Sequence, residues 1–427
     1  MWIYRVIRIF FSIFASAKMN TRIRHIQLFM LLMMAWLPIS AEKVPSAEDS
    51  VIAVAPQLDS IEVSILTCTP GKDMYAKFGH TALRVRDYTA NRDVVFNYGC
   101  FDYNSNNFVL KFLLGKTDYL LDAEEFDFLK YRYGRLGNGV SEQVLNLSQT
   151  EANRLLVLLL ENLRPENQEY RYNWLYDNCT ERARDMIEKA LEGEIEYSDV
   201  VDEDVTVRDM LHECLEKSPW VSFGIDMILG DEIDRKVDRR VMMFLPDVFR
   251  QESDGAYIMR KDGERAPYIM ERNTVLEDMN GPDKAYMILS PLFLFFLLLL
   301  CTVSLFLQEL KKKKYTAWMD VTMHTCQGLA GLLVAFLFFL SEHPAVDNNW
   351  LVIMFNPLPL FYAAWLLYCY RKRRKNLLSY INLIVTAGFL VTMAFCPQSF
   401  NPAMWVLMLS FLVRALSQAH FTYHRER

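Results

Sequence analysis

The chain has 427 residues, room for two or three domains, and its 52% apolar share is concentrated beyond about residue 285. Its net charge of −6, with Lys and Arg gathered only in short clusters, excludes a nucleic-acid-binding face. Eight cysteines are too few for a disulfide framework, and without a CxxC or a Cys/His cluster at ligand spacing neither a zinc site nor a soluble cofactor is expected.

In chain order, the first element is a targeting segment. From Met19, MNTRIRHIQLFMLLMMAWLPISA sets Arg22 and Arg24 before an apolar run that ends at Pro38 and small residues up to Ala41. Residues 1–41 therefore read as a signal peptide or N-terminal anchor, and the chain beyond them leaves the cytoplasm. SIEVSILTC (60–68), HTALRVRDY (80–88) and VVFNYGCFDY (94–103) read as strands. The first two alternate at period two, and TPGKD and NRD serve as turns. LNLSQTEANRLLVLLLENL opens with Ser148 and Glu151 at capping-box spacing and continues as an apolar-faced helix. A second helix begins in YDNCTERARDM (176–186), residues 203–250 are helical in pattern, and SDGAYIMRKDGERAPYIME suggests a hairpin. Residues 42–285 thus form an α+β domain large enough for its own core.

Five apolar stretches follow, at 286–308, 318–340, 350–369, 377–396 and 402–418, each near the ~20 residues that cross a bilayer. The last is short and interrupted by Arg414. QELKKKKY, YRKRRKN and the C-terminal HFTYHRER are basic, whereas SEHPAVDNN and CPQSFNP contain no Lys or Arg. This alternation puts the basic segments and the C-terminus in the cytoplasm and residues 42–285 outside it, in agreement with the leader. Residues 286–427 therefore read as an all-α bundle of five transmembrane helices. His324 and Asn382, polar residues inside the second and fourth spans, receive no role.

One motif in the outer domain carries chemistry. Asn178 is a favoured N-cap and Glu181 stands three positions on, which makes Cys179 the first helical residue. A thiol there meets unpaired N–H groups and the positive end of the helix dipole, which favour the reactive thiolate and can hold an oxyanion. The alternative readings are a small buried residue or a disulfide, since Cys68, Cys100 and Cys214 share the compartment and Cys68 lies on a strand able to neighbour that of Cys100. A thiol nucleophile needs a base. His212, in DMLHECLEK, reads as a surface residue of an amphipathic helix. His80 follows Gly79 at the start of a strand, from where it can project toward a helix N-terminus, and is the base of choice. Asn97 is the candidate group to orient its imidazole and Asp102 the competitor; Tyr75 stands near enough in sequence to reach the site or simply to pack.

His80 precedes Cys179 by 99 positions. This order, the reverse of ordinary papain-like enzymes, resembles circularly permuted NlpC/P60-like thiol enzymes. TPGKDMYAKFGHTALRVRD, NYGCFDY, LNLS and YRYNWLYDNCTERARDM together resemble the periplasmic domain of the Lnb-type lipoprotein N-acyltransferases of Bacteroidota, over about residues 60–245. That family also carries a multi-span membrane region like 286–418. The resemblance implies Cys179 and His80 as the catalytic pair, a bacterial inner-membrane location, and a membrane phospholipid as acyl donor. The acceptor it implies is the α-amino group of the lipidated N-terminal cysteine of lipoproteins. Large apolar residues in SPWVSFGIDMILGDEI and RRVMMFLPDVF are numerous enough to line an acyl groove or, for most of them, to pack inside the domain. Two other classes stay open: a membrane-tethered NlpC/P60-like cysteine peptidase or amidase acting on the cell wall, and a non-catalytic membrane sensor.

Overall fold

The computed structural model describes residues 60–73, 76–101, 107–202, 204–261, 263–280 and 289–423. The expected leader over 1–41, Tyr75 and Asp102 lie outside the described residues.

Alternating segments build an antiparallel sheet. The strands β1 (Ile61–Cys68), β2 (His80–Asp87) and β3 (Arg92–Cys100) fall within a few residues of their expected places. After them come α1 (Phe108–Leu113), β4 (Asp118–Glu125), α2 (Phe126–Leu136) and β5 (Val140–Leu145). Helix α3 (Gln149–Asn162) starts at the expected capping box, with the Ser148 hydroxyl accepting from the Glu151 N–H and the Glu151 carboxylate accepting from the Ser148 N–H. Then follow β6 (Glu169–Arg171), α4 (Cys179–Ala190) and β7 (Gly193–Glu196). The helical stretch resolves into α5 (Val207–Cys214), α6 (Pro219–Ile228), α7 (Arg239–Met242) and α8 (Pro246–Asp254). The expected hairpin is β8 (Tyr257–Arg260) with β9 (Arg265–Pro267), and β7 pairs with it. Strand β10 (Ile269–Leu276) then returns to the edge of the main sheet, whose order is β10-β5-β1-β2-β3-β4-β6. On α4, Ala183, Met186, Ile187 and Ala190 recur at helical spacing and are buried with Ile65, Leu83 and Phe96 of the sheet and Leu155 and Leu159 of α3. That packing holds α4 across β2 and β3.

Five helical stretches long and apolar enough to cross a membrane follow. They comprise α9 (Pro291–Lys312), α10 (Trp318–Leu340), α11 (Leu358–Arg371), α12 (Leu378–Phe395) and α13 (Pro402–Tyr423). The third crossing departs from a continuous helix. A 3-10 turn over Trp350–Ile353 precedes α11, and residues 354–357 are irregular. Pro357 and Pro359 remove donors there, and the Asn356 side chain accepts from the Leu358 N–H. Irregular backbone at membrane depth must be buried in protein. Two glycines of α10 supply the space: a Cβ on Gly331 would sit 2.3 Å from the Asn356 nitrogen and one on Gly328 2.6 Å from Leu360 Cγ. Gln327 completes the seat by donating to the Met354 carbonyl at 2.8 Å.

Arg414 interrupts the apolar stretch but not the helix. Helix α13 runs unbroken through it, and the guanidinium is buried against two carboxylates, Glu309 of α9 (2.9 Å) and Asp320 of α10 (2.6 Å). The intramembrane polar residues without an assigned role also join helices. His324 donates from Nδ1 to Gln327 Oε1 and accepts at Nε2 from Gln418, and Asn382 donates to Gln418 Oε1.

The outer domain is tied to one end of this bundle. The Gly230 N–H donates to the Ala345 carbonyl at 2.8 Å, and a Cβ on Gly230 would come 1.8 Å from the Asp347 oxygen, so only glycine fits. Gln398 donates to the Leu229 carbonyl and Asn401 to Asp226 Oδ2. The loops at this end are the two without Lys or Arg, and the basic loops lie at the other. His212 keeps a partly exposed side chain on its amphipathic helix but also reaches a buried partner. Its Nε2 lies 2.8 Å from both oxygens of Asp226, the carboxylate that Arg208 and Asn401 also hold, so it belongs to the seam between domain and bundle. Two large side chains of α6 pack beyond the domain: Phe223 and Trp220 meet Phe295 of α9 at 5.2 and 6.1 Å.

Candidate active site

Cys179 opens α4 because Asn178 caps it. Asn178 Oδ1 accepts the Thr180 and Glu181 N–H groups at 2.8 and 3.2 Å, and Glu181 reaches back to the Asn178 N–H at 3.3 Å. Asn178 Nδ2 in turn donates to the carbonyls of Trp174 and Phe244, which locks the cap. One expectation changes as a result. The Thr180 and Glu181 N–H groups are taken by the cap, leaving the N–H of Cys179 itself as the first-turn donor that the cap does not engage.

His80 starts β2 beneath this helix, and a hydrogen bond between Thr81 and Thr180 hydroxyls at 3.1 Å fastens strand to helix. Gly79 has φ +79 and a Cβ there would lie 2.8 Å from the Cys68 carbonyl oxygen, so the turn that delivers His80 requires glycine. His80 is the main electrostatic partner of the Cys179 thiol, and the sulfur lies 4.0 Å from the Thr180 hydroxyl. Burial pushes the Cys179 thiol up, but the neighbouring His80 outweighs it and leaves the thiol below its ordinary value. For His80 burial pulls down, while Cys179 and Asn97 raise it above the usual imidazole range. Both shifts favour a thiolate–imidazolium pair.

Asn97 receives the other ring nitrogen, with Oδ1 3.1 Å from His80 Nε2. Its amide orientation is set by its neighbours. Nδ2 donates to Glu124 Oε1 at 3.0 Å, and a carboxylate only accepts, so Oδ1 must face the ring. His80 Nε2 then carries the proton and Nδ1 is left for the thiol. Arg132 binds the same Glu124 oxygen. Strand alternation puts Asn97 on the face of Val95 and His80 on that of Ala82, which is the same face, and the β3–β4 register shifts only beyond it, between Asn97 and Cys100. Glu124 and Arg132 were missed from sequence because the strand and helix bearing them, β4 and α2, were not anticipated.

The other outer cysteines are free thiols. The strands of Cys68 and Cys100 are not neighbours, since β2 runs between β1 and β3. Burial pushes Cys68 and Cys100 up to about 12 and Cys214 up to about 11. Tyr170 has a buried hydroxyl without a hydrogen-bond partner among the described residues. It stands across Gly99 from the thiol: a Cβ on Gly99 would be 3.6 Å from Cys179 Cβ and 3.9 Å from the Tyr170 oxygen.

Iodoacetamide is therefore expected to label Cys179 at neutral pH, well ahead of Cys68, Cys100 and Cys214, because only thiolate reacts. Glu124→Gln frees the Asn97 amide to turn, which withdraws the acceptor from His80 and moves the inflection of the Cys179 alkylation rate to higher pH. A profile unchanged by Glu124→Gln would contradict this reading of the relay.

Family comparison gives two matches. The Lnb N-terminal periplasmic domain covers residues 50–213, and the Lnb transmembrane domain covers 283–426. The chain belongs to the Lnb family. It is a multi-pass membrane protein with a periplasmic segment, of the Lnb type that acts in lipoprotein biogenesis. The periplasmic match contains His80, Asn97, Glu124, Tyr170 and Cys179. No curated protein and no solved structure matches the chain.

Proposed function

We propose that this chain is an inner-membrane thiol acyltransferase. In this reading it moves a fatty acyl chain from a membrane phospholipid, through a thioester on Cys179, to the α-amino group of a lipoprotein's lipidated N-terminal cysteine. The observation that carries the reading is where the thiol–imidazole pair stands. Phe78, two residues before His80, and Trp174, five before Cys179, share an apolar cluster with Phe336 and Leu337, near the outer end of membrane helix α10. A nucleophile built onto the end of a span is close to substrates that live in the bilayer, and proximity of this kind lowers the barrier. The cysteine helix lying over the histidine strand, in His-before-Cys order, supports a circularly permuted NlpC/P60-like fold for residues 42–285.

The Cys179 thiolate attacks the ester carbonyl. The Cys179 N–H and the Tyr170 hydroxyl are the donors available for the oxyanion. Imidazolium His80 gives its proton to the departing glycerol oxygen, which leaves as a lysophospholipid. The acceptor amine then attacks the thioester, His80 takes the amine proton, the thiolate is released and an amide remains. Asn97 keeps the ring in register through both steps.

The test reconstitutes the full chain in lipid nanodiscs containing phospholipid with an isotope-labelled acyl chain, together with a lipopeptide bearing a free amino terminus. Mass spectrometry is expected to find one labelled chain on the terminal amine and matching lysophospholipid. A product acylated by a chain of the lipopeptide itself, cleaved peptide, or no product overturns the proposal.

A further inference from the structure

Helix α1, FVLKFL, turns Phe108 inward and leaves Val109, Leu110 and Phe112 exposed at 63, 47 and 41%, with Lys111 exposed among them. Among the other described residues of the periplasmic domain, exposed large apolar side chains do not come three to a single turn, and scattered ones are ordinary. The height of this helix is set by membrane helix α10, which ends at Leu340. The Phe112 carbonyl accepts from His343 Nε2 at 2.9 Å, the Leu114 carbonyl accepts from the Glu342 N–H at 2.9 Å, and Lys116 pairs with Glu342 at 2.8 Å. Between them Gly115, at φ +70, allows a close approach, since a Cβ there would be 3.0 Å from the His343 nitrogen. The last residues of α10, Phe339 and Leu340, are themselves exposed and apolar. Helix α1 thus prolongs the lipid-facing surface of a span at the level where that span leaves the bilayer.

A row of aromatic rings leads inward from it. Phe112 lies 6.4 Å from Phe108, Phe108 5.2 Å from Phe101, Phe101 4.9 Å from Tyr119, and Tyr119 4.0 Å from Tyr172. Tyr172 and Phe101 pack against the same core as Cys179.

We propose that α1 is an interfacial helix seated in the outer leaflet. Val109, Leu110 and Phe112 lie among acyl chains, Lys111 at the phosphate level, and the aromatic row, buried at Phe108 and Tyr119 and partly exposed at Phe101 and Tyr172, underlies the route by which a phospholipid's acyl chain reaches Cys179. Short apolar faces with a basic residue bind the headgroup boundary in this way. The delivery role rests on the acyl-transfer reading; the seat in the leaflet does not.

The experiment places the photo-crosslinker p-benzoylphenylalanine at 109, 110 or, as a control, the exposed Val157 of α3, in the full chain in phospholipid nanodiscs. Lipid adducts are expected at 109 and 110 and not at 157. Adducts only to protein, adducts equally strong at 157, or none overturn the leaflet seat. A Val109→Asp/Leu110→Asp variant is then expected to raise the KM for phospholipid about tenfold, with kcat and Cys179 alkylation unchanged. Lipid adducts with an unchanged KM overturn delivery alone. Lipid adducts at 109 and 110, together with no acyl transfer by the wild-type protein, overturn the acyl-transfer reading and leave the seat intact.

Discussion

Cys179→Ser in the full-length protein is expected to abolish N-acylation of lipoproteins, by at least about a thousandfold, while the protein still folds and inserts. The serine hydroxyl occupies the same half-buried volume and keeps the cap that Asn178 provides, so α4 is unaffected. What is lost is the anion: His80 holds the thiol below its ordinary value and so favours the thiolate, and a hydroxyl has no such anion to offer. Peptide mass spectrometry of lipoprotein N-termini reads the outcome directly. In the wild type, phospholipid supplied without an acceptor should leave one acyl mass on the Cys179 peptide, released by hydroxylamine. Unchanged acylation in the variant would point to a non-catalytic sensor, and loss of soluble cleavage products would point to a hydrolase.

The largest effect on stability is expected at the opposite end of the molecule. Arg414→Met leaves Glu309 and Asp320 buried within the bundle without their cation, and breaking a buried pair on one side costs roughly 3–5 kcal/mol. Thermal unfolding of the purified protein in detergent should show a marked fall in Tm. Adding Glu309→Gln and Asp320→Asn to Arg414→Met removes the orphaned charges and should recover most of the loss, a coupling that independent sites would not show. If Arg414→Met is as stable as the wild type, the triad does not hold α9, α10 and α13 together.

Much of this architecture is written locally. The alternation in SIEVSILTC and HTALRVRDY needs no tertiary information to mark strands, because period two is a property of the pleat itself. Ser148 and Glu151, and Asn178 and Glu181, mark helix starts because a cap is a contact among four consecutive residues. The five crossings and their orientation follow from bilayer thickness and loop charge, which act on each segment separately. Hence the two-part organisation and a thiol in a first helical turn are legible in the order of residues.

What escaped that reading depends on partners far along the chain. Glu124 is an ordinary strand-end carboxylate until Asn97, 27 positions earlier, donates to it and so acquires a fixed orientation toward His80. Tyr170 becomes a candidate oxyanion donor only because Gly99 leaves room between it and Cys179. Arg414 reads as a break in an apolar stretch until the packing of α9 and α10 brings Glu309 and Asp320 to it across 105 and 94 residues. In each case the meaning of a polar group is its pairing once water is excluded, and pairing is a property of the folded chain. The sequence alone shows that Cys179 can be a nucleophile. The fold brings His80 and Asn97 together, fixes the Asn97 amide through Glu124, and packs the residues just before His80 and Cys179 against the outer end of a membrane helix.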